Sequence, residues 1–233
     1  MPDRGGTSRL LLVEGVPGLG KSTTIDGVVR RYVETTSAER IRTVVALAQT
    51  HTYGPLAGRE DDSSLTKADN LEHLDIVVRG LEWLIDGAGR QTRTKCVIVV
   101  DTLHLTHCLR PGVLDWHDVE PIDRRLASLG ARLLLIDGAE ETIRQRTVLA
   151  RAGTEFIKGY ALGRFGNTPD ALVSHFVRER DRFRVLFEAS AMVKRVIAAE
   201  IARDEMIGSA LDFWLDPRDA VPSTGAADIR AGR

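Results

Sequence analysis

The sequence predicts an α/β protein built on a doubly wound parallel sheet, and three observations carry that reading. Short apolar runs alternate with helical patterns along the chain. The runs are continuously apolar rather than alternating, which suits strands covered on both faces. A glycine-rich stretch of defined spacing joins the first run to the first helix. A length of 233 residues fits a single domain of this kind with a sizeable core.

The first strand is read at Leu10 to Val13, and Thr23 to Val33 follows as a helix with Ile25, Val28, Val29 and Tyr32 at helical spacing. Arg42 to Gln49 is the second strand, and Thr50 to Ser64 a polar loop of functional length. Lys67 to Ile85 reads as a helix stopped by Asp86-Gly87-Ala88-Gly89, with Trp83 most simply in the core. Cys96 to Val100 is the third strand and Val119 to Leu129 the next helix. The fourth strand is Arg132 to Ile136, with helices over Glu140 to Ala152 and Pro169 to Ser190. Met192 to Ala198 is a fifth strand, interrupted by Lys194 and Arg195, and Ala199 to Trp214 a last helix. Residues 1–8 read as a flexible N-terminus, 9–216 as one domain, and 217–233, without a core-forming pattern, as a disordered tail.

Gly15-Val16-Pro17-Gly18-Leu19-Gly20-Lys21-Ser22 is a complete Gly-x-x-x-x-Gly-Lys-Ser phosphate-binding loop, followed by Thr23 at the head of the helix. The glycines let successive backbone N–H groups turn inward around a phosphate chain, and the helix N-terminus adds partial positive charge. Lys21 would reach the β- and γ-phosphates and the Ser22 hydroxyl would ligate Mg²⁺. The motif implies a bound nucleoside triphosphate. A GTPase would need a guanine-reading Asn-Lys-x-Asp, which the sequence lacks.

Composition narrows the partners. The net charge is −1, with 43 % apolar and 28 % charged residues, so neither nucleic acid nor a membrane surface is expected as partner. No apolar run reaches the length of a membrane span and Met1 to Arg9 has no signal-peptide core, which makes the cytoplasm the expected location. Cys96 and Cys108 read as buried thiols rather than a disulfide framework. Arginines outnumber lysines 27 to five, so arginine clusters carry less weight here than elsewhere.

From about Arg9 to Asp216 the chain resembles the thymidylate kinase-like branch of the P-loop nucleoside and nucleotide kinases. Glu14-Gly15 through Lys21-Ser22-Thr23 looks like that family's Glu-Gly-x-x-Gly-x-Gly-Lys-[Ser/Thr]-Thr, and Val99-Val100-Asp101 falls where it carries Asp-Arg-Tyr. The stretch from Leu134 to Glu140 looks like its Leu-x-x-Asp-Pro-Glu segment. Arg146-x-x-x-x-Arg151-Ala-Gly resembles the arginine-bearing lid, here about 142–168, and Phe176 to Phe183 the helix after it. The resemblance implies sheet order 2-3-1-4-5, ATP with Mg²⁺, a small-molecule acceptor and often a homodimer. Asp101 would then assist the metal or the acceptor hydroxyl, with Asp137 mainly structural. Arg146 and Arg151 would clamp the transferring phosphoryl group, with Arg144 behind them, although a charge-paired helix face explains any single arginine equally well.

For the acceptor, the candidates are Gln49, His51 and Tyr53 on the second-strand loop, His104 with its neighbour His107 after the third strand, and Arg178 and Arg182. Three departures from the family bear on it. Thr102 stands where the family has arginine; Gln49-Thr50-His51-Thr52-Tyr53 replaces Thr-Arg-Glu-Pro-Gly-Gly; and the acidic residue of deoxynucleoside kinases is absent. Together they point to a hydroxyl-bearing metabolite, nucleoside or antibiotic. A nucleoside monophosphate acceptor, or a regulatory module that only binds ATP, remain the alternatives.

Overall fold

The computed structural model describes residues 9–35, 42–52, 65–89, 95–109, 113–161 and 168–216. Five parallel strands form one sheet in the order β2-β3-β1-β4-β5. They are β1 (Arg9–Glu14), β2 (Arg42–Leu47), β3 (Lys95–Asp101), β4 (Arg132–Asp137) and β5 (Val193–Ala198). The predicted α/β class and strand order are those observed. Strands β1 and β4 are buried almost throughout, so apolar side chains face helices on both sides.

Helix α1 (Lys21–Thr35) leaves β1 and packs beside the last helix. In right-handed connections, strand moves in opposite directions place their helices on opposite faces. The β1-to-β2 move therefore puts α1 on one face, and every later strand-to-strand move puts its helices on the other. Those later elements are α2 (Gln49–Thr52), α3 (Lys67–Gly89), α4 (His104–Leu109) and α5 (Trp116–Ser128). After β4 come α6 (Glu140–Thr142), α7 (Glu155–Ala161) and α8 (Pro169–Ala189). Helix α9 (Arg203–Leu215) returns to α1, its Trp214 ring 5.4 Å from that of Tyr32.

Several elements differ from the sequence reading. Strand β2 stops at Leu47 and Gln49 opens the single turn α2. Helix α3 runs through Asp86 and Gly87 and ends only at Gly89. Trp83 is not core: it is 75 % exposed. The buried stripe of α3 is Leu74, Val78 and Leu81, and Trp83 lies about 200° round the helix from Leu81. The expected helix over Glu140 to Ala152 is a single α-turn, a wider π-turn at Ile143–Val148 and a 3₁₀ turn at Leu149–Arg151. Ala199 is not helical; its N–H donates to Asp137 O at 2.6 Å, and α9 starts four residues later. The short helices α4 and α7 carry too few turns to show periodicity. Tyr53, residues 1–8, the stretch 162–167 of the expected lid and the tail 217–233 lie outside the described residues.

Candidate active site

The loop between β1 and α1 curls at the C-terminal edge of the sheet, where open α/β folds bind ligands. Gly15 has φ +135°, and a Cβ there would lie 2.3 Å from the Ile136 carbonyl oxygen. Gly18 has φ +85°, and its Cβ would meet Thr147 at 2.9 Å. Only glycine fits either place. Val16 and Leu19 anchor the loop in the core, and the Thr147 hydroxyl latches it by donating to Pro17 O at 2.6 Å. Lys21 is buried, its Nζ folded back to donate to Gly15 O at 2.7 Å. Ser22 and Thr23, at the head of α1, are exposed.

Asp101 ends β3 opposite Val13 of β1, which brings it beside the loop. The Ser22 hydroxyl donates to its Oδ2 at 3.1 Å and the Thr102 hydroxyl to its Oδ1 at 3.0 Å. Thr102 has φ +68°, the single non-glycine residue with positive φ among the described residues. For a β-branched residue this costs on the order of 1–3 kcal/mol. Its N–H donates to Val13 O at 3.0 Å.

Beneath the loop, Glu14 is fully buried. Its Oε1 accepts from Leu103 N–H and its Oε2 from the Thr106 hydroxyl, each at 2.8 Å. Burial pushes its carboxyl above the usual carboxylate range, against the pull of His104, these two donors and Lys21. Its mark in the sequence is a lone carboxylate closing the apolar run Leu10 to Val13.

The histidines separate. His51 is exposed, its Nδ1 3.4 Å from the Thr50 hydroxyl, and Gln49 beside it is half-buried. His104 and His107, candidates for the acceptor, are both fully buried. His104 Nε2 donates to Asp123 Oδ1 at 3.0 Å. That carboxylate also accepts from Ser190 Oγ at 2.6 Å and Ala191 N–H at 2.8 Å. Burial works against the charge on Asp123, but His104, Ser190 and Ala191 outweigh it and hold the carboxyl below its ordinary value. His104 is thus held in the core by Asp123. Burial chiefly pushes His107 down to about 3, and its Nδ1 lies 2.5 Å from Asn70 Oδ1. Its Nε2 donates to Thr52 O at 3.0 Å, as His73 Nε2 does at 2.9 Å, with the two rings stacked 5.8 Å apart. The Thr52 hydroxyl in turn donates to Asp101 O at 3.0 Å. These residues hold the end of α2 against the tip of β3, and nothing in their sequence spacing announces it.

Arginines of the expected lid take distinct partners. Arg144 pairs with Asp170 at 2.5 Å and lies near Glu140 and Glu141, a charge-paired face. Arg146 donates to Ala199 O at 2.6 Å, one residue before the Thr147 latch. The Arg151 guanidinium stacks 4.8 Å above the Phe156 ring. Arg178 is exposed, and Arg182 donates to Cys108 O at 3.3 Å. Asp137 pairs with Arg184 at 2.6 Å and accepts from Gly138 N–H at 2.9 Å.

The arrangement fits a magnesium-bound nucleotide. It offers a curled glycine loop that a Cβ would obstruct, a lysine amine within it, and the hydroxyl and carboxylate oxygens that Mg²⁺ favours. Among the described residues, no cluster of three or more His, Cys, Asp or Glu could hold a metal, and no helix is long and apolar enough to cross a membrane.

No family model matches the chain and no curated protein sequence matches it. Solved structures are similar to it in fold. The YorR protein of Bacillus subtilis, in complex with phosphorylated GDP, is 12 % identical over 86 % of this chain and 92 % of its own, with a TM-score of 0.52. A gluconokinase from Sinorhizobium meliloti 1021 is 14 % identical over 91 % and 93 %, with a TM-score of 0.50. A sugar kinase from Janibacter sp. HTCC2649 aligns over 91 % and 97 % at 17 % identity and a TM-score of 0.48. The chain shares its parallel α/β fold with the first two.

Proposed function

We propose that this chain is an ATP- and Mg²⁺-dependent kinase that transfers the γ-phosphoryl group to a small molecule bearing a free hydroxyl. The observation that carries the reading is the meeting, at one sheet edge, of the Gly15–Ser22 loop, the Lys21 amine and the Ser22–Asp101 pair. The fold shared with a gluconokinase and a protein solved with a phosphorylated nucleotide supports it. By its motifs the chain would fall in the thymidylate kinase-like branch.

Backbone N–H groups of Gly15 to Ser22 and the head of α1 would bind the phosphate chain. Lys21, now resting on Gly15 O, would swing its amine onto the phosphate oxygens. Ser22 and Asp101 would hold Mg²⁺, which when bound neutralises phosphate charge. Arg146 sits close enough to the loop, through its neighbour Thr147, to serve as the clamp; Arg151 would need to leave Phe156. Gln49 and His51 would face the acceptor, and Arg178 and Arg182 would border it. The Asp101 carboxylate is already bonded to Ser22, which favours its metal-side role over proton acceptance from the acceptor.

ADP release from Mg-ATP against nucleoside monophosphates, nucleosides, sugars and other hydroxylated metabolites tests this. Turnover confined to unphosphorylated hydroxyl compounds, abolished by Lys21→Ala with the fold intact, is expected. Turnover confined to monophosphates would assign a nucleotide kinase instead. ATP binding with no turnover would favour a regulator.

A further inference from the structure

We propose that Thr102 is a positioning residue that aims the Asp101 carboxylate at the metal side of the site; this rests on the reading that Asp101 serves Mg²⁺. Thr102 occupies a conformation that glycine or asparagine would adopt at less cost, and a stiff β-branched side chain is the least suited to it. Strain of this kind persists only where the surroundings over-determine it. They do so here. The N–H of Thr102 is held by Val13 O and the N–H of Leu103 by Glu14 Oε1, so both residues after Asp101 are pinned to the last two residues of β1.

What the conformation achieves is the delivery of a hydroxyl to the residue before it. Thr102 Oγ1 donates to Asp101 Oδ1 at 3.0 Å while Ser22 Oγ donates to Oδ2 at 3.1 Å. The carboxylate is thus held between two hydroxyls, and its rotation about the Cβ–Cγ bond is blocked. Thr102 is 2 % exposed and Asp101 6 %, so water does not compete freely for either bond. A short, uncharged donor turns inward here to the aspartate, so the position serves the carboxylate's aim.

The test is equilibrium binding of ATP to the full chain, once in excess EDTA and once in excess Mg²⁺, read as the ratio of the two dissociation constants. Asp101→Asn abolishes the metal-dependent tightening. Thr102→Ser, which keeps the hydroxyl, retains it. Thr102→Ala and Thr102→Gly lose about tenfold of it, the effect of one hydrogen bond to a charged group. Metal-free ATP affinity is unchanged in all three Thr102 variants. Melting separates strain from hydroxyl: Thr102→Gly melts about 2–4 °C above Thr102→Ala, although it removes more side chain. A Thr102→Ala protein with the wild-type ratio overturns this inference alone. A wild-type chain that binds ATP in neither buffer overturns the proposed function and this inference with it.

Discussion

Glu14→Gln should stabilise the protein at alkaline pH and leave it unchanged in acid. Both carboxyl oxygens have donors, Leu103 N–H and the Thr106 hydroxyl, each at 2.8 Å. A glutamine keeps the first bond through its carbonyl oxygen, and the Thr106 hydroxyl can rotate to accept from the new amide. The substitution therefore changes mainly the charge. Burial raises this carboxyl above its ordinary 4.5. With the folded value above the unfolded one, the stability that Glu14 contributes is full below about 4.5 and is lost as pH rises toward the folded value. Over that interval the folded state binds more protons, and wild-type stability falls by about 1.4 kcal/mol per pH unit. The glutamine variant has no such slope. The difference between the two proteins should be flat in acid, open by about 3–6 °C in melting temperature per pH unit, and then level off. Melting both proteins from pH 4 to pH 9 and plotting the difference tests this, because the titrating groups that do not touch Glu14 cancel, leaving Glu14 with its neighbours His104 and Lys21. A constant difference, or a wild type that gains on the variant as pH rises, refutes the reasoning.

His107 imposes the opposite slope. Its folded value of about 3 lies below the ordinary 6.5, so its contribution is full above 6.5 and is lost as pH falls toward 3. His107→Gln, which keeps a donor for Thr52 O, should flatten the acid limb by about 1.4 kcal/mol per pH unit in denaturant titrations. Gly15→Ala must displace the Ile136 carbonyl from 2.3 Å and adopt φ +135°. A loss on the order of 2–5 kcal/mol is expected, read as a lowered melting temperature together with lost ATP binding. Asp101→Asn should cut turnover far more than Asp137→Asn, which breaks a partly exposed pair with Arg184 and should cost about 0–1 kcal/mol of stability. Equal turnover losses in the two variants would mean that Asp137 also belongs to the chemistry.

The sheet was legible because its strands are continuously apolar, and the phosphate loop because its spacing is dictated by backbone geometry rather than by packing. Asp101 and Asp137 both end apolar strands, so the residues alone did not separate them and only the resemblance favoured Asp101; the structure sets Asp101 beside the loop and bonded to Ser22, while Asp137 pairs with Arg184. What stayed hidden is held by long-range bonds without a sequence period. Thr52 meets Asp101, His73 and His107 across 49, 21 and 55 residues. His104 looks like a loop residue until Asp123 and Ser190 close round it. Trp83 was misplaced because size and hydrophobicity favour the core, whereas the phase of Leu74, Val78 and Leu81 decides which side of α3 faces inward. The π-turn at Ile143–Val148 coincides with Arg146 and Thr147, whose side chains bond to Ala199 and Pro17, and no propensity anticipates that.

The placement of the tryptophans gives the protein two optical reporters with different duties. Trp83 stands in solvent on α3, while Trp214 is 1 % exposed and lies against Tyr32. Acrylamide will darken the first and spare the second in the native protein. With Trp83 replaced by phenylalanine and acrylamide quenching the partly covered Trp116, the remaining emission is weighted toward the seam between α1 and α9. Since α1 begins at the Gly15–Ser22 loop, a change in that emission on adding ATP would be a dye-free test of the proposed nucleotide binding.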